Sequence, residues 1–167
     1  LMSPFSRRSG VDVSFVDALF TSTSAVCVTG LIAIDTADTF NLFGKTVVAM
    51  LIQIGGLGVT SIGVGLILLI GRNVGIKQRM LVKEALNLTS MKGIVKLIKA
   101  VIIMTISFEI VGAILSYIVF SKDYKPLDAV GISIFHSIAA FNNSGFDILG
   151  NFQNLSSYRD NILLNLV

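Results

Sequence analysis

The sequence predicts an all-α polytopic membrane protein, and three observations lead to this fold class. Only 14% of its 167 residues are charged and 53% are hydrophobic, whereas an ordinary soluble domain is about 25% charged. Mean hydropathy is +0.83. Two uninterrupted apolar stretches are long enough to cross a bilayer, and a strongly basic loop separates them. This composition argues against a soluble globule, a disordered tail and a nucleic-acid-binding protein.

The outer segment, residues 1–45, contains a short apolar stretch at residues 15–26. A helix of this length is about 18 Å long, roughly half of what a ~30 Å hydrocarbon core requires. Irregular backbone at membrane depth is tolerated only where it is buried in protein or lines a water-filled cavity. We therefore expect a half-helix that enters the membrane from outside and ends at a turn containing Gly30. The single cysteine, Cys27, excludes an internal disulfide.

Residues 46–71 carry no charge between Lys45 and Arg72. About 20 apolar residues suffice to cross the hydrocarbon core as a helix. The sequence therefore predicts a transmembrane helix over 46–71, and its six glycines indicate close packing against other helices.

The loop at residues 72–99 has a net charge of +6, twice that of the whole chain. Because basic loops stay on the cytoplasmic side, we expect this loop to be cytoplasmic. Residues 76–88 alternate apolar and basic residues at helical spacing, which favours an interfacial helix over a docking surface for a cytosolic partner. The basic residues of the whole loop at 72–99 are Arg72, Lys77, Arg79, Lys83, Lys92, Lys96 and Lys99.

A second transmembrane helix is predicted over residues 100–120, where Glu109 is the only charge. The outer segment 121–160 then holds another half-helix at 127–141 and a turn containing Gly145. Residues 161–167 start a further apolar run. Since the sequence has no initial Met and ends within that run, we expect a partial chain with a truncated last helix.

An internal repeat links the two half-helices. Shifting the sequence by 115 residues superimposes both half-helices and both turns, and it predicts a helix starting at residue 161. The repeated unit is a span, a half-helix, an extended turn and a span. The superimposed pairs are Phe20 with Phe135, Ser22 with Ser137, Ala25 with Ala140, and Gly30 with Gly145.

The two turns have the chemistry of a cation site. A dehydrated alkali cation is bound by backbone carbonyl oxygens, which glycine allows the chain to turn inward. Helix C-termini carry partial negative charge, so half-helices that end at these turns favour a cation there. Acidic residues at the helix starts complement the opposite dipole end, whereas those after the turns either attract cations or are ordinary loop acids. The first group is Asp12, Asp17 and Asp128, and the second is Asp35, Asp38 and Asp147.

Three segments resemble the Trk/Ktr/HKT superfamily of potassium transporters, most closely its bacterial Ktr-type membrane subunits. They are DALFTSTSAVCVTGL at 17–31, QIGGLG at 53–58 and FHSIAAFNNSGFD at 135–147. The resemblance implies four span, pore-loop, span units, like those of potassium channels, around one ion path, each with a filter glycine. This chain then carries parts of the first and second units.

The resemblance also assigns site residues. Gly30 and Gly145 correspond to filter glycines, a pattern similar to that of potassium-selecting relatives. The implied ion-binding residues are Val28, Thr29, Gly30, Asn143, Ser144 and Gly145, with Cys27 and Asn142 as an inner level. The implied cargo is potassium, with sodium dependence left open, and no other metal or organic cofactor is expected.

The function implied by the resemblance is potassium uptake across a bacterial plasma membrane, gated by a cytosolic partner. The implied partners are membrane lipid, the remaining repeats, a second copy in a homodimer, and a cytosolic nucleotide-binding ring, but no nucleic acid. The alternative is a secondary transporter with broken helices and a midplane ion site.

Three further residues invite sharper hypotheses. An intramembrane serine protease would use Ser144 and His136, but the sequence offers no acid or oxyanion donor, so we expect no enzyme. His136 is expected to be a packed helix residue. Glu109 is expected to be a hydrogen-bonded structural group rather than an ion relay.

Overall fold

The chain is built from helices, as the sequence predicts. A computed structural model describes residues 1–70, 73–151 and 154–167, and this part of the chain contains no strand beyond one isolated bridge between Arg7 and Phe40. The elements in chain order are α1 (Phe15–Cys27), α2 (Thr36–Thr39), α3 (Leu42–Leu57), α4 (Val59–Leu69), α5 (Ile76–Ala85), α6 (Ile94–Phe120), α7 (Pro126–Phe141), a 3-10 helix (Leu155–Tyr158) and α8 (Ile162–Asn165).

The chain forms two compact units. The first contains Leu1–Gly56 and Phe108–Val167, and the second contains Leu57–Ser107. The core of the first unit is apolar and includes the fully buried side chains of Phe40, Val48, Ile52 and Phe120. Both half-helices, α1 and α7, belong to this unit, so the candidate site can be described within one compact body.

The second unit is small and contains α4, α5 and the first half of α6. Its core consists of Val64, Val74, Val82, Ile94 and Ile98. Helix α5 turns Val82 inward and leaves Ile76 exposed. The amphipathic helix predicted at 76–88 is therefore present and ends at Ala85.

Helix α6 is long and apolar enough to cross a membrane, and most of its apolar surface is exposed. It has 27 residues and begins at Ile94, six residues before the predicted span at 100–120. Exposed apolar side chains on a helix of this length are typical of contact with lipid. The helix therefore agrees with an all-α membrane protein.

The apolar stretch at 46–71 differs from one continuous helix. Its backbone is divided between α3 and α4 at Gly58, which has a φ of 79°. The two helices are long and apolar enough to span a membrane only when taken together. The end of the predicted span, at Gly71, lies outside the described residues, as does Arg72 of the basic loop.

Candidate ion-binding site

Helix α1 is a half-helix of 13 residues, which confirms the helix predicted at 15–26. Ser14 caps its start, because its hydroxyl oxygen accepts a hydrogen bond from the backbone N–H of Asp17 at 3.1 Å. The carboxylate of Asp17 lies in the first turn, where it complements the positive end of the helix dipole.

A left-handed turn ends α1. Val28 has a φ of 55°, and its N–H donates to the carbonyl of Ala25 at 3.3 Å. The N–H of Thr29 donates to the carbonyl of Ser24 at 3.1 Å. Gly30 follows with a φ of 69°, a conformation that glycine adopts without strain and most other residues avoid. The chain therefore leaves the helix end sharply.

The end of α7 has the same backbone geometry. Asn143 has a φ of 52° and donates its N–H to Ala140 at 2.9 Å, and Ser144 donates to Ala139 at 2.8 Å. Gly145 has a φ of 72°. Each donor, acceptor and glycine lies 115 residues after its counterpart in the first turn. The repeat inferred from four identities is thus present in the backbone conformation.

The two turns lie directly against each other. A Cβ atom placed on Gly30 would lie 2.7 Å from the carbonyl oxygen of Ser144, and one placed on Gly145 would lie 3.2 Å from the Cα of Gly30. Side chains at either glycine would force the two backbones apart. The structure therefore brings the two predicted filter glycines together.

The backbone carbonyls of both turns are available as ligands. In the described part of the chain, the carbonyl oxygens of Val28, Thr29, Asn143 and Ser144 accept no hydrogen bond. The hydroxyls beside them are occupied, since Thr29 Oγ1 bonds Ser24 Oγ at 2.9 Å and Ser144 Oγ accepts from the N–H of Phe146 at 3.4 Å. Unpaired carbonyls of this kind suit a hard cation.

The two candidates for an inner ion-binding level differ in their surroundings. The Cys27 side chain is exposed. The amide of Asn142 is already engaged, because its Nδ2 donates to Gln53 Oε1 at 2.9 Å and to the carbonyl of Ile138 at 2.8 Å. Its Oδ1 lies against Gly56, where an added Cβ would displace the Asn142 side chain. Asn142 therefore packs against α3 in this arrangement.

The QIGG segment of α3 packs against the residues that precede both turns. Gly55 lies against the backbone carbonyl of Val26, close to the end of α1, and Gly56 lies against Asn142 at the end of α7. Sequence reasoning identified these glycines as packing residues but did not select Gln53 for the site. An amide within an apolar stretch at 46–71 is the signal that would have found it.

The acidic residues after the turns bind backbone N–H groups. Asp35 accepts from Ala37 at 2.7 Å, and Asp38 accepts from Asn151 at 2.7 Å. Asp147 accepts from Leu149 at 3.1 Å. Burial raises the pKa of the Asp147 carboxyl, the hydrogen bond from Leu149 lowers that pKa, and the charge of Asp35 raises it further. These acids therefore organise the loops, whatever they contribute to the ion path.

His136 and Glu109 occupy packed positions. The ring of His136 is buried against Phe120, with 5.7 Å between ring centroids, as expected of a packed helix residue. The backbone carbonyl of Glu109 accepts a hydrogen bond from Ser137 Oγ at 2.7 Å, which joins α6 to α7. Among the described residues, no cluster of His, Cys, Asp or Glu could hold a metal ion.

The chain is similar to known bacterial uptake proteins. The chain is 41% identical over its full 167 residues to the Ktr system potassium uptake protein B of Bacillus subtilis. It is 38% identical over the same length to the potassium/sodium uptake protein NtpJ of Enterococcus hirae. It covers 37% of the length of each of these relatives. The sequence model of the TrkH family, described as cation transport proteins, matches residues 4–167. The chain therefore belongs to the TrkH family of cation transport proteins.

Proposed function

We propose that the protein containing this chain takes up potassium through a filter of backbone carbonyls, to which this chain supplies two of four turns. The observation that carries the proposal is the pair of equivalent turns, in contact at Gly30 and Gly145, with unpaired carbonyls next to both glycines. The names of the Bacillus and Enterococcus relatives, which are potassium and potassium/sodium uptake proteins, support potassium as the transported ion. The two names differ in whether sodium is named beside potassium.

The mechanism needs no covalent step. Carbonyl oxygens replace the hydration shell of the ion, and the negative ends of α1 and α7 favour a positive charge beside the turns. Because the cation binds to several oxygens at once, the spacing of the two backbones decides which ion fits. Val28, Thr29, Asn143 and Ser144 provide these oxygens in our proposal.

The proposed setting is a multi-pass protein of a bacterial plasma membrane, with residues 72–99 in the cytoplasm. The basic charge of this loop supports that orientation. We further propose that the whole protein forms a homodimer and is gated by a cytosolic nucleotide-binding ring. The exposed basic side chains of Lys77 and Arg79 on α5 support this contact, because they belong to the loop that we propose to be cytoplasmic.

A secondary transporter with a broken-helix midplane site is the second candidate, because the apolar stretch at 46–71 is interrupted at Gly58. Such transporters place the ion beside the interrupted helix. A Cβ on Gly58 would meet no atom within 4 Å, whereas Gly30 and Gly145 are closely packed. The filter proposal therefore predicts that ion selection depends on the latter two glycines and not on Gly58.

The test is rubidium and sodium uptake by the full-length protein in a bacterial host that lacks its own potassium uptake systems. Wild type is compared with Gly30→Ser and Gly145→Ser at equal amounts in the membrane. We expect both variants to lose rubidium uptake or to admit sodium, because a side chain at either position collides with the neighbouring turn.

Gly10→Ser and Gly58→Ser are matched controls, since both glycines have a positive φ but no neighbouring atom within 4 Å of an added Cβ. These two variants strain the backbone at the substituted residue, but their new side chains do not contact a neighbouring turn. Wild-type selectivity in Gly30→Ser and Gly145→Ser would refute the filter, and a loss confined to Gly58→Ser would favour the broken-helix transporter.

A further inference from the structure

Three polar side chains, of Gln53, Glu109 and Asn142, lie near one another beside the second turn. Asn142 at the end of α7 donates Nδ2–H to Oε1 of Gln53 on α3, at 2.9 Å. The Gln53 side chain also lies beside the Glu109 carboxyl on α6. Gln53 and Asn142 are 89 positions apart in sequence. All three belong to the first compact unit.

The hydrogen-bonding capacity of each group decides which of these side chains donates and which accepts. Since Gln53 Oε1 accepts from Asn142, the Gln53 amide has only N–H groups left for its other neighbour. Those groups require an acceptor. Oε1 of Glu109 is buried and has no hydrogen-bond partner among the described residues, so it is an acceptor that lacks a donor.

Asn142 and Glu109, the outer two of these three residues, are each bonded to α7. Asn142 also donates to the carbonyl of Ile138, which anchors its amide to the last turn of α7. The backbone carbonyl of Glu109 is bound by Ser137 of the same α7. Because Asn142 immediately precedes Asn143, the contacts of its side chain hold the start of the backbone that carries the proposed ligands.

We propose that Gln53 is a positioning residue that links Asn142 to the acceptor Glu109 and thereby sets the spacing of the second filter turn. This inference rests on the proposed function, because it assumes that the second turn is part of an ion filter. It assigns part of the selectivity to residues that do not touch the ion. Ion selection by carbonyls depends on how closely and how firmly they are held. A link that holds Asn142 therefore contributes to the discrimination between potassium and sodium.

The experiment measures the ratio of rubidium to sodium uptake in full-length variants, normalised to the amount of protein in the membrane. We expect Gln53→Leu and Glu109→Leu each to lower this ratio by about tenfold, the factor that corresponds to ~1.4 kcal/mol. Glu109→Gln retains an acceptor oxygen, so we expect it to stay within about twofold of wild type. The double variant Gln53→Leu/Glu109→Leu is expected to be no worse than Gln53→Leu alone, because both changes break the same link.

Gln78→Leu and Glu84→Leu are matched controls, since they make the same replacements on α5 in the other compact unit. If Gln53→Leu fails to reach the membrane, the comparison of Glu109→Leu with Glu109→Gln provides the same test. An unchanged ratio in Glu109→Leu, or a loss in Glu109→Gln equal to that in Glu109→Leu, would overturn the proposal. Failure of the proposed function is distinguishable, because Gly30→Ser and Gly145→Ser would then keep the wild-type ratio, whatever Gln53→Leu and Glu109→Leu do.

Discussion

Val28 and Asn143 are equivalent residues of the two turns, yet they suit that position differently. Both have a left-handed backbone, with φ of 55° and 52°. Asparagine tolerates this conformation, whereas a β-branched residue such as valine is strained there. Strain of this kind costs on the order of 1–3 kcal/mol and persists only where surrounding structure maintains it. The first turn is therefore the more strained of the two.

This difference predicts the effect of exchanging the two residue types. We expect Val28→Asn to stabilise the full-length protein by about 1 kcal/mol, because the side chain becomes compatible with the left-handed turn. Asn143→Val should destabilise it by a similar amount. Thermal unfolding of the purified protein in detergent measures both effects.

The control for this pair is Val16→Asn, which replaces an exposed valine on α1 whose backbone is helical. It is expected to give no gain. A Val28→Asn variant that unfolds at a lower temperature than wild type would contradict the strain argument.

At the scale of elements, the α3 segment around Gln53 explains how two short half-helices are held. Gly55 lies against the carbonyl of Val26, and Gly56 lies against Asn142. Small residues let helices and backbone approach closely in a membrane, where packing replaces the hydrophobic effect as the main source of helix association. Helix α3 therefore supports the ends of both α1 and α7.

Two glycines of the same apolar stretch should respond in opposite ways to alanine. In Gly55→Ala the added Cβ overlaps the backbone of Val26, which cannot rotate away, so we expect a loss of about 2 kcal/mol. In Gly63→Ala the Cβ meets no atom within 4 Å, and alanine favours the helix, so we expect unchanged or higher stability.

The yield of monodisperse full-length protein and its midpoint of thermal unfolding measure this difference. Equal stability of the two variants would show that α3 does not approach the end of α1 as closely as described.

At the scale of the whole molecule, charge determines orientation. The net charge of +6 at residues 72–99 predicts a cytoplasmic loop between two outer segments. Ser90 and Ser121 are both exposed and lie on opposite sides of the apolar helix α6 in sequence. They therefore report the orientation of that helix.

We expect a membrane-impermeant maleimide to label Ser121→Cys in intact cells and to label Ser90→Cys only after the cells are opened. Both variants are made in a full-length protein in which Cys27 is replaced by serine, because the Cys27 side chain is exposed. Labelling of Ser90→Cys in intact cells would reverse the proposed topology.

Much of the local structure was predictable because it depends on short-range properties of the chain. Composition and apolar length identify the membrane helix α6, and helix-compatible stretches bounded by turns identify α1 and α7 within one residue at most of each end. The positions of Gly30 and Gly145 after these helices indicated the turns. The interruption of 46–71 at Gly58 was missed, because an apolar window measures length and not backbone continuity.

Hydropathy, residue conformational preference and internal similarity were enough to predict α1, α6, α7, the glycine turns and their 115-residue repeat from the sequence. Which groups meet is seen only in the folded chain, where Gly30 contacts Gly145, Gly55 contacts the carbonyl of Val26, and Gln53 contacts Asn142. The physical reason is that contacts between distant residues depend on the joint packing of several helices, which no single segment encodes.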